Sequence, residues 1–181
     1  LLPGRGETVG AQLVASPGIR GVMFTGSTDV ARIIARTLAD RLDDDGHTIP
    51  LIAETGGQNA MVVDSSALSE QVVFDVLSSA FDSAGQRCSA LRVLCVQEDN
   101  ADHVLTMLRG AMRELSVGNP DRLSVDVGPV IDTEARNGIQ RHIDAMRTAG
   151  HRVDQGELNS ECRQGTIVAP TIIEIDTVSE L

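Results

Sequence analysis

Aromatic residues are nearly absent from this chain, which has no Trp, no Tyr and only three Phe among its 181 residues. The hydrophobic fraction is nevertheless 41%, an ordinary value for a globular protein. A chain of this length can bury a real core, as one domain or as two small lobes. Packing must therefore rest on Val, Ile, Leu and Ala.

Positive charge is also scarce, with 15 Lys and Arg against 26 Asp and Glu and a formal net charge of −11. Nucleic acids and anionic membrane surfaces both select basic proteins. No apolar run approaches the roughly 18 residues of a membrane span, and no secretory signal pattern is visible. We therefore expect neither a nucleic-acid partner nor a membrane span.

The three cysteines, Cys88, Cys95 and Cys162, are odd in number and widely separated. They form neither a disulfide framework nor a CxxC zinc pattern, which favours a reducing cytoplasm. The acidic run 43–45 lacks the spaced oxygen ligands of a calcium loop. It is predicted to be a solvated turn or helix end.

Apolar runs typical of strands alternate with amphipathic helical patterns. The predicted strands are 21–25, 49–53, 60–63, 91–97, 166–169 and 171–175, with a polar stretch at 151–165. The predicted helices are 11–15, one that begins at Ser27 or Thr28 and includes 30–38, 69–84, 101–115 and 133–149. This alternation predicts an α/β fold with mostly parallel strands.

The segment 83–90 places Cys88 after a Gly-Gln-Arg turn and among small side chains. Small neighbours leave room for a substrate, and a turn at the end of a helix presents the thiol. That setting suits a nucleophilic thiolate. From these residues alone, an inert core cysteine stays open as the alternative.

Glu54 ends an apolar strand directly before a glycine pair, 34 residues ahead of Cys88. Partial desolvation there would raise the pKa of its carboxyl and make it a better general base. The alternative is an ordinary surface glutamate.

The segment 24–28 reads as a strand end, a glycine turn and a helix start. Backbone N–H groups and a hydroxyl at a helix N-terminus suit a pyrophosphate. Because the full GxGxxG fingerprint is missing, a plain helix cap is the alternative.

Together these elements resemble the aldehyde dehydrogenase superfamily. The family's Phe-Thr-Gly-Ser-Thr, Glu-(Leu or Thr)-Gly-Gly and Gly-Gln-x-Cys elements occur at 24–28, 54–57 and 85–88, in the family's order and spacing. The amino-acid sequences of 54–60, 83–90 and 118–122 are similar to those of the L-glutamate-γ-semialdehyde (Δ1-pyrroline-5-carboxylate) dehydrogenase module of bifunctional proline-utilisation enzymes. The resemblance covers essentially the whole chain.

The resemblance implies roles for ten residues. Cys88 matches the nucleophile and Glu54 the general base. Cofactor contacts are implied for Val9, Gly10, Gly26, Ser27, Thr55 and Gly56. Substrate contacts are implied for Arg87 and Ser89. Ala31 departs from the pattern, because many members carry glycine there.

The resemblance also implies two domains, the C-terminal part of a Rossmann-like NAD-binding domain at 1–50 and a truncated parallel-sheet catalytic domain at 51–181. It implies NAD as cofactor, with FAD only in a proline dehydrogenase domain outside this chain. The full-length protein that contains this chain is expected to be a cytoplasmic homo-oligomer that oxidises a small aldehyde. The family's oxyanion Asn, cofactor Lys and ribose-binding Glu are not found here, so we expect an internal piece of an enzyme, inactive alone.

Three alternatives remain at this stage. Another semialdehyde could be the substrate, or the piece could be a non-catalytic structural or interaction module. A thiol hydrolase would pair Cys88 with a histidine. The candidate histidines are His47, His103, His142 and His151.

Overall fold

In a computed structural model that describes residues 1–162 and 165–180, the chain divides into two compact units. The first unit is Leu1–Gly57, and the second begins at Gln58. The division falls seven residues after the predicted boundary at residue 50, because the strand at 51–55 pairs within the first unit. The last residue of the predicted second domain, 181, lies outside the described residues.

The first unit contains two parallel strands joined through a helix. Its elements are a π-helical turn at Gly6–Gly10, α1 at Ala11–Ala15, β1 at Val22–Gly26, α2 at Thr28–Ala39 and β2 at Leu51–Thr55. The apolar stripe of α2 packs Ile34 and Leu38 with Ile49 in a small core. The spacing of four residues between the first two places them on one helix face.

Strand β2 starts two residues later than the predicted strand 49–53. Pro50 has no N–H to give to a ladder, so regular pairing starts only after it. Its carbonyl oxygen still accepts the N–H of Val22 at 2.9 Å. The strand therefore extends to Thr55 and includes Glu54.

The second unit contains a parallel pair and an antiparallel pair of strands. Its elements are β3 at Asn59–Val63, α3 at Ser69–Phe81, a 3-10 turn at Asp82–Gly85, β4 at Leu91–Val96, α4 at Glu98–Glu114, α5 at Thr133–Thr148, β5 at Val153–Gln155, β6 at Thr171–Ile173 and a 3-10 turn at Val178–Glu180. Strands β3 and β4 are parallel. Val104 of α4, fully buried, belongs to the core that this pair forms with α3.

Strands β5 and β6 pair in antiparallel fashion, which the sequence did not predict. Strand β5 lies in the stretch 151–165, which the sequence predicts only to be polar. Residues 163 and 164 of this stretch are outside the described part. The predicted strand 166–169 is wrong. Thr166 instead contacts a loop, where its carbonyl accepts the N–H of Val130 at 2.9 Å. Parallel pairing holds for the other two strand pairs.

Aliphatic side chains form the described core, as predicted. The buried hydrophobic residues are Ala, Ile, Leu, Val, Met and Cys, whereas Phe74 is 67% exposed. None of the helices within 1–162 and 165–180 is long and apolar enough to cross a membrane.

The acidic run 43–45 forms the predicted turn. The Asp43 carboxylate accepts the backbone N–H groups of Asp45 and His47 at 2.9 and 2.8 Å. Asp44 pairs with Arg20, and both are exposed. The Asp43 carboxylate thus satisfies backbone N–H groups of the turn, a common role for Asp.

Candidate active site

Cys88 follows an unusual reversal of the chain. Helix α3 ends at Phe81, three residues before the predicted end, and the next turn has left-handed Ser83 (φ 57°), Ala84 (φ 52°) and Gly85 (φ 67°). The left-handed conformation costs a non-glycine residue about 1–2 kcal/mol, and such strain is concentrated at functional sites. The reversal takes Cys88 out of the helix.

Gly85 is required by space as well as by its backbone conformation. A Cβ there would lie 2.8 Å from the Ala80 carbonyl oxygen and 2.9 Å from an Arg92 nitrogen. Arg92 in turn donates a hydrogen bond to the Gly85 carbonyl at 2.6 Å. This explains the glycine of the Gly-Gln-x-Cys element.

The Gln86 side chain ties the turn to a distant loop. Its Nε2 donates to the carbonyls of Ser83 at 3.1 Å and Pro129 at 3.3 Å. Its Oε1 accepts the N–H of Ile131 at 2.7 Å. The glutamine of the motif therefore anchors the turn from one side.

Arg87 anchors the turn to the end of α3. Its Nη2 donates to the carbonyls of Ser78 at 2.8 Å and Ser79 at 3.1 Å. A guanidinium at a helix C-terminus satisfies exposed carbonyls and complements the helix dipole. The substrate contact predicted for Arg87 stays a prediction beside this structural role.

The Cys88 side chain is exposed, in contrast to that of Cys162, which is buried. The Asn59 Nδ2 atom donates to the carbonyls of Cys88 at 2.7 Å and Ala90 at 2.9 Å. The Ala90 N–H donates to the Arg87 carbonyl at 3.1 Å. Within the described residues, the Cys88 N–H bonds to no other group. In the part of the chain that the structure describes, the turn thus presents an exposed thiol and an available N–H donor.

A small cavity of about 340 Å³ lies beside the cysteine turn. Its lining residues are Met61, Asp75, Ser78, Ser79, Arg87 and Ser89. Both predicted substrate residues border it. Sequence reasoning missed Asp75, although its spacing of three and four residues from two serines places all three on one face of α3.

In the first unit, the predicted residues Gly26, Glu54, Thr55 and Gly56 lie at the carboxyl ends of two paired strands. The parallel register of β1 and β2 pairs Thr25 with Glu54 and Gly26 with Thr55. Gly56 follows directly. Ligands of open α/β sheets bind outside the carboxyl ends of the strands, and these residues lie at such ends.

Ser27 caps helix α2, which suits the binding of an anion. Its hydroxyl accepts the N–H of Val30 at 3.3 Å, and its carbonyl accepts that of Ala31 at 3.0 Å. The N–H groups of Thr28 and Asp29 bond to no other group within the described residues. Such N–H groups bind phosphate oxygens in dinucleotide sites, so the residues present fit a pyrophosphate.

Gly26 lies against the neighbouring aromatic ring, which would have to move if a side chain were added there. A Cβ there would lie 2.4 Å from the Phe24 ring, closer than real Cβ contacts allow. Ala31, which departs from the family's glycine, is buried in α2.

We expect Gly26→Ala to lower the free energy of unfolding by about 1–3 kcal/mol, the usual effect of overpacking. Thermal unfolding of the chain measures this change. Gly6→Ala is the matched control, because a Cβ at that exposed glycine meets nothing within 4 Å. Equal melting temperatures for both variants would contradict the steric role of Gly26.

Glu54 is exposed at the end of β2. Residues 1–57 leave the carboxyl in contact with solvent, so its expected desolvation stays a prediction for the full-length protein. Val9 and Gly10 are half-buried in the turn that leads into α1. The Val9 N–H donates to the Arg5 carbonyl at 2.9 Å.

No histidine of the described second unit makes a hydrogen bond to Cys88. His151 instead lies 3.9 Å from a Glu180 oxygen. The thiol hydrolase hypothesis needs a histidine paired with the nucleophile and gains no support from this unit.

Known proteins are similar to this chain in both sequence and structure. The sequence model described as "Aldehyde dehydrogenase family" matches residues 1–180. The Bifunctional protein PutA of Escherichia coli K12 is 64% identical over the whole chain, which covers 14% of that protein. A 1-pyrroline-5-carboxylate dehydrogenase of Bacillus mycoides is 36% identical over 95% of the chain, which covers 33% of that protein.

Solved structures give the same result. The structure of Proline Utilization A (PutA) from Bradyrhizobium japonicum matches with a TM-score of 0.90 and 51% identity, over 98% of this chain and 18% of that one. A 1-pyrroline-5-carboxylate dehydrogenase from Thermus with bound NAD matches with a TM-score of 0.84 and 33% identity, over 96% of this chain and 33% of that one. The fold is that of aldehyde dehydrogenases, and the chain belongs to the aldehyde dehydrogenase family.

Proposed function

We propose that this chain carries the nucleophile and the general base of an NAD-dependent L-glutamate-γ-semialdehyde dehydrogenase, the enzyme of the second step of proline catabolism. The observation that carries the proposal is the exposed thiol of Cys88 on a turn anchored by Gln86, Arg87 and Asn59. The 64% sequence identity between this chain and PutA supports the choice of substrate. The activity is assigned to a full-length protein that includes these residues.

Cys88 begins the reaction as a thiolate. Its sulfur attacks the aldehyde carbon, and the new C–S bond converts the carbonyl oxygen into the oxyanion of a thiohemiacetal. The Cys88 N–H, which bonds to no other described group, is placed to donate to that oxyanion. Donors of this kind stabilise the charge that develops in the transition state.

NAD, when bound, supplies the hydride acceptor. The turn at Gly26 and Ser27, with the N-terminus of α2, would hold its pyrophosphate, while Val9 and Gly10 would line the adenine. Thr55 and Gly56 lie at the same sheet edge as the turn and would contact the cofactor. Loss of the hydride leaves a thioester on Cys88.

Glu54 completes the reaction as a general base. Its carboxylate takes a proton from water, and the resulting hydroxide attacks the thioester carbon. The C–S bond breaks, releasing glutamate and the Cys88 thiolate. The exposure of Glu54 in the first unit leaves the carboxylate open to water.

Ser89 and Arg87 border the small cavity beside the nucleophile. The Ser89 hydroxyl would donate to the polar tail of the substrate. Arg87 would add positive charge at the same cavity, although one of its nitrogens is bound to α3. We also assign the full-length protein to the cytoplasm, as a homo-oligomer, with FAD confined to a separate proline dehydrogenase domain.

The test of this function is an NADH assay on the full-length protein with glutamate semialdehyde, NAD and, for comparison, propanal. We expect a kcat/KM for glutamate semialdehyde at least about tenfold above that for propanal, because polar contacts to a substrate discriminate strongly against analogues without them. Equal values would overturn the substrate assignment, and no NADH from either aldehyde would overturn the activity.

The 181-residue chain alone is expected to form no NADH from glutamate semialdehyde, yet to keep an alkylatable Cys88. The resemblance places the oxyanion Asn, the cofactor Lys and the ribose-binding Glu outside these residues, and the loss of one oxyanion donor alone costs about 10²–10³-fold in a hydrolase. Iodoacetamide labelling with peptide mapping checks the thiol, with buried Cys162 as the internal unlabelled control. Ready NADH formation, or an unlabelled Cys88 in folded protein, would contradict this expectation.

A further inference from the structure

Asn59 uses one amide group to bind two carbonyls of the nucleophile turn. Its Nδ2 lies 2.7 Å from the Cys88 oxygen and 2.9 Å from the Ala90 oxygen. Both bonds span about 30 residues of sequence. An amide carries two N–H donors, so each carbonyl can receive its own hydrogen.

The reach of Asn59 follows from an irregularity in the sheet. Asn59 opens β3 opposite Leu91, and the next pair is Ala60 with Val93, so the register shifts between them. The extra residue on β4 is Arg92. Bulges of this kind re-aim side chains, and here the shift accompanies an asparagine that meets the residues just before β4.

Two hydrogen bonds fix the two peptide groups that flank the Cys88 Cα atom. The peptide before it is fixed through the Arg87 carbonyl, which accepts the Ala90 N–H at 3.1 Å. The peptide after it is fixed through the Cys88 carbonyl, which accepts from Asn59. With both peptides held, the Cα–Cβ bond of Cys88 and its N–H keep one orientation.

We propose that Asn59 is a positioning residue for acylation, which holds the Cys88 thiol and the Cys88 N–H in register for attack and oxyanion binding. Asn59 is half-buried and acts through the turn, without touching the substrate. The assignment to acylation rests on the proposed function. A misplacement of about 1 Å at a reacting group can cost about 10²-fold in rate.

The experiment compares Asn59→Ala, Asn59→Asp and Asn100→Ala in the full-length protein. Asn59→Asp keeps the shape of the side chain but replaces its NH2 group, which carries both donors, by an oxygen acceptor. Asn100→Ala is the matched control, since its half-buried amide donates to Ser69 at 3.3 Å and makes no bond to the turn. The readouts are the pre-steady-state rate of NADH formation, the KM for NAD and the melting temperature.

We expect both Asn59 variants to lower the acylation rate by about 10–100-fold, with the KM for NAD close to that of the wild type. Both variants should fold, with a lower melting temperature because two hydrogen bonds are lost. Asn100→Ala should acylate within about twofold of the wild type. An acylation rate within threefold of the wild type in Asn59→Ala would overturn the proposal. So would the loss of folding in both variants, which would make Asn59 a stability residue only.

Hydrogen exchange separates this inference from the activity itself. In the 181-residue chain, the Ala90 amide should exchange faster in Asn59→Ala than in the wild type or in Asn100→Ala, whichever aldehyde the full-length protein oxidises. Unchanged exchange would overturn the positioning role. A wild-type protein that forms no NADH from any aldehyde would overturn the proposed function and leave the tie between Asn59 and the turn to be judged by exchange.

Discussion

Cys88→Ala in the full-length protein is expected to reduce aldehyde-dependent NADH formation by at least about 10⁴-fold, because removal of a covalent nucleophile eliminates the route through the thioester. The fold should survive. Cys88 is exposed, and its turn is held by backbone carbonyls and by the side chains of Gln86, Arg87 and Asn59 rather than by the thiol. A melting temperature near that of the wild type, measured together with the NADH assay, checks both parts.

Cys95→Ala is the matched control for the nucleophile. Cys95 is also exposed, but it lies within strand β4 rather than on a turn. We expect its replacement to leave turnover within about twofold of the wild type. If Cys88→Ala kept turnover near the wild-type rate, the nucleophile assignment would be lost.

Glu54→Gln is expected to slow hydrolysis of the thioester by about 10²–10³-fold, within the usual contribution of a general base. Acylation does not require the base in this scheme, so a burst of NADH should precede slow turnover. Stopped-flow NADH formation measures both phases.

Glu114→Gln is the control for loss of one exposed carboxylate, because Glu114 ends helix α4, in the second unit. It should show no burst and normal turnover. A parallel decrease of burst and steady-state rate in Glu54→Gln would mean that Glu54 does not act selectively in hydrolysis of the thioester.

Local chemistry made much of the first unit predictable. Ser27 before an apolar stripe predicts a capped helix, and the structure has that cap on α2. A glycine before the cap predicts the turn, and the Phe24 ring adds a reason that only coordinates reveal. Secondary structure is predicted accurately from the sequence where residues that are neighbours along the chain determine it.

Long-range pairing was harder to predict. Strand β5 is polar in sequence. It pairs with β6, which begins at Thr171. Arg109 also supports this pair by binding Asp154 at 2.7 Å and Glu174. No local pattern encodes such partners, since each depends on how the chain returns from far away.

The candidate site divides in the same way. The motifs predict roles for Cys88 and Glu54, and the structure adds that one is on an anchored turn and the other at a sheet end. The two bonds of Asn59 were invisible in sequence, because a hydrogen bond across some 30 residues produces no local periodicity. Asp75 could have been found from its helical spacing to Ser78 and Ser79, which line the same cavity. The exposure of Glu54 depends on what covers a strand end, which periodicity does not report.

The bonds of Gln86 have a consequence for the order in which the chain is assembled. The contacts from Arg87 to α3 span eight or nine residues, whereas those from Gln86 to Pro129 and Ile131 span 43 and 45. Closing the longer loop has the larger entropic cost, and a ribosome delivers residues from the N-terminus onward. A nascent chain therefore carries Cys88 on a half-anchored turn until residue 131 has emerged, so the proposed nucleophile is synthesised well before all the residues that anchor its turn.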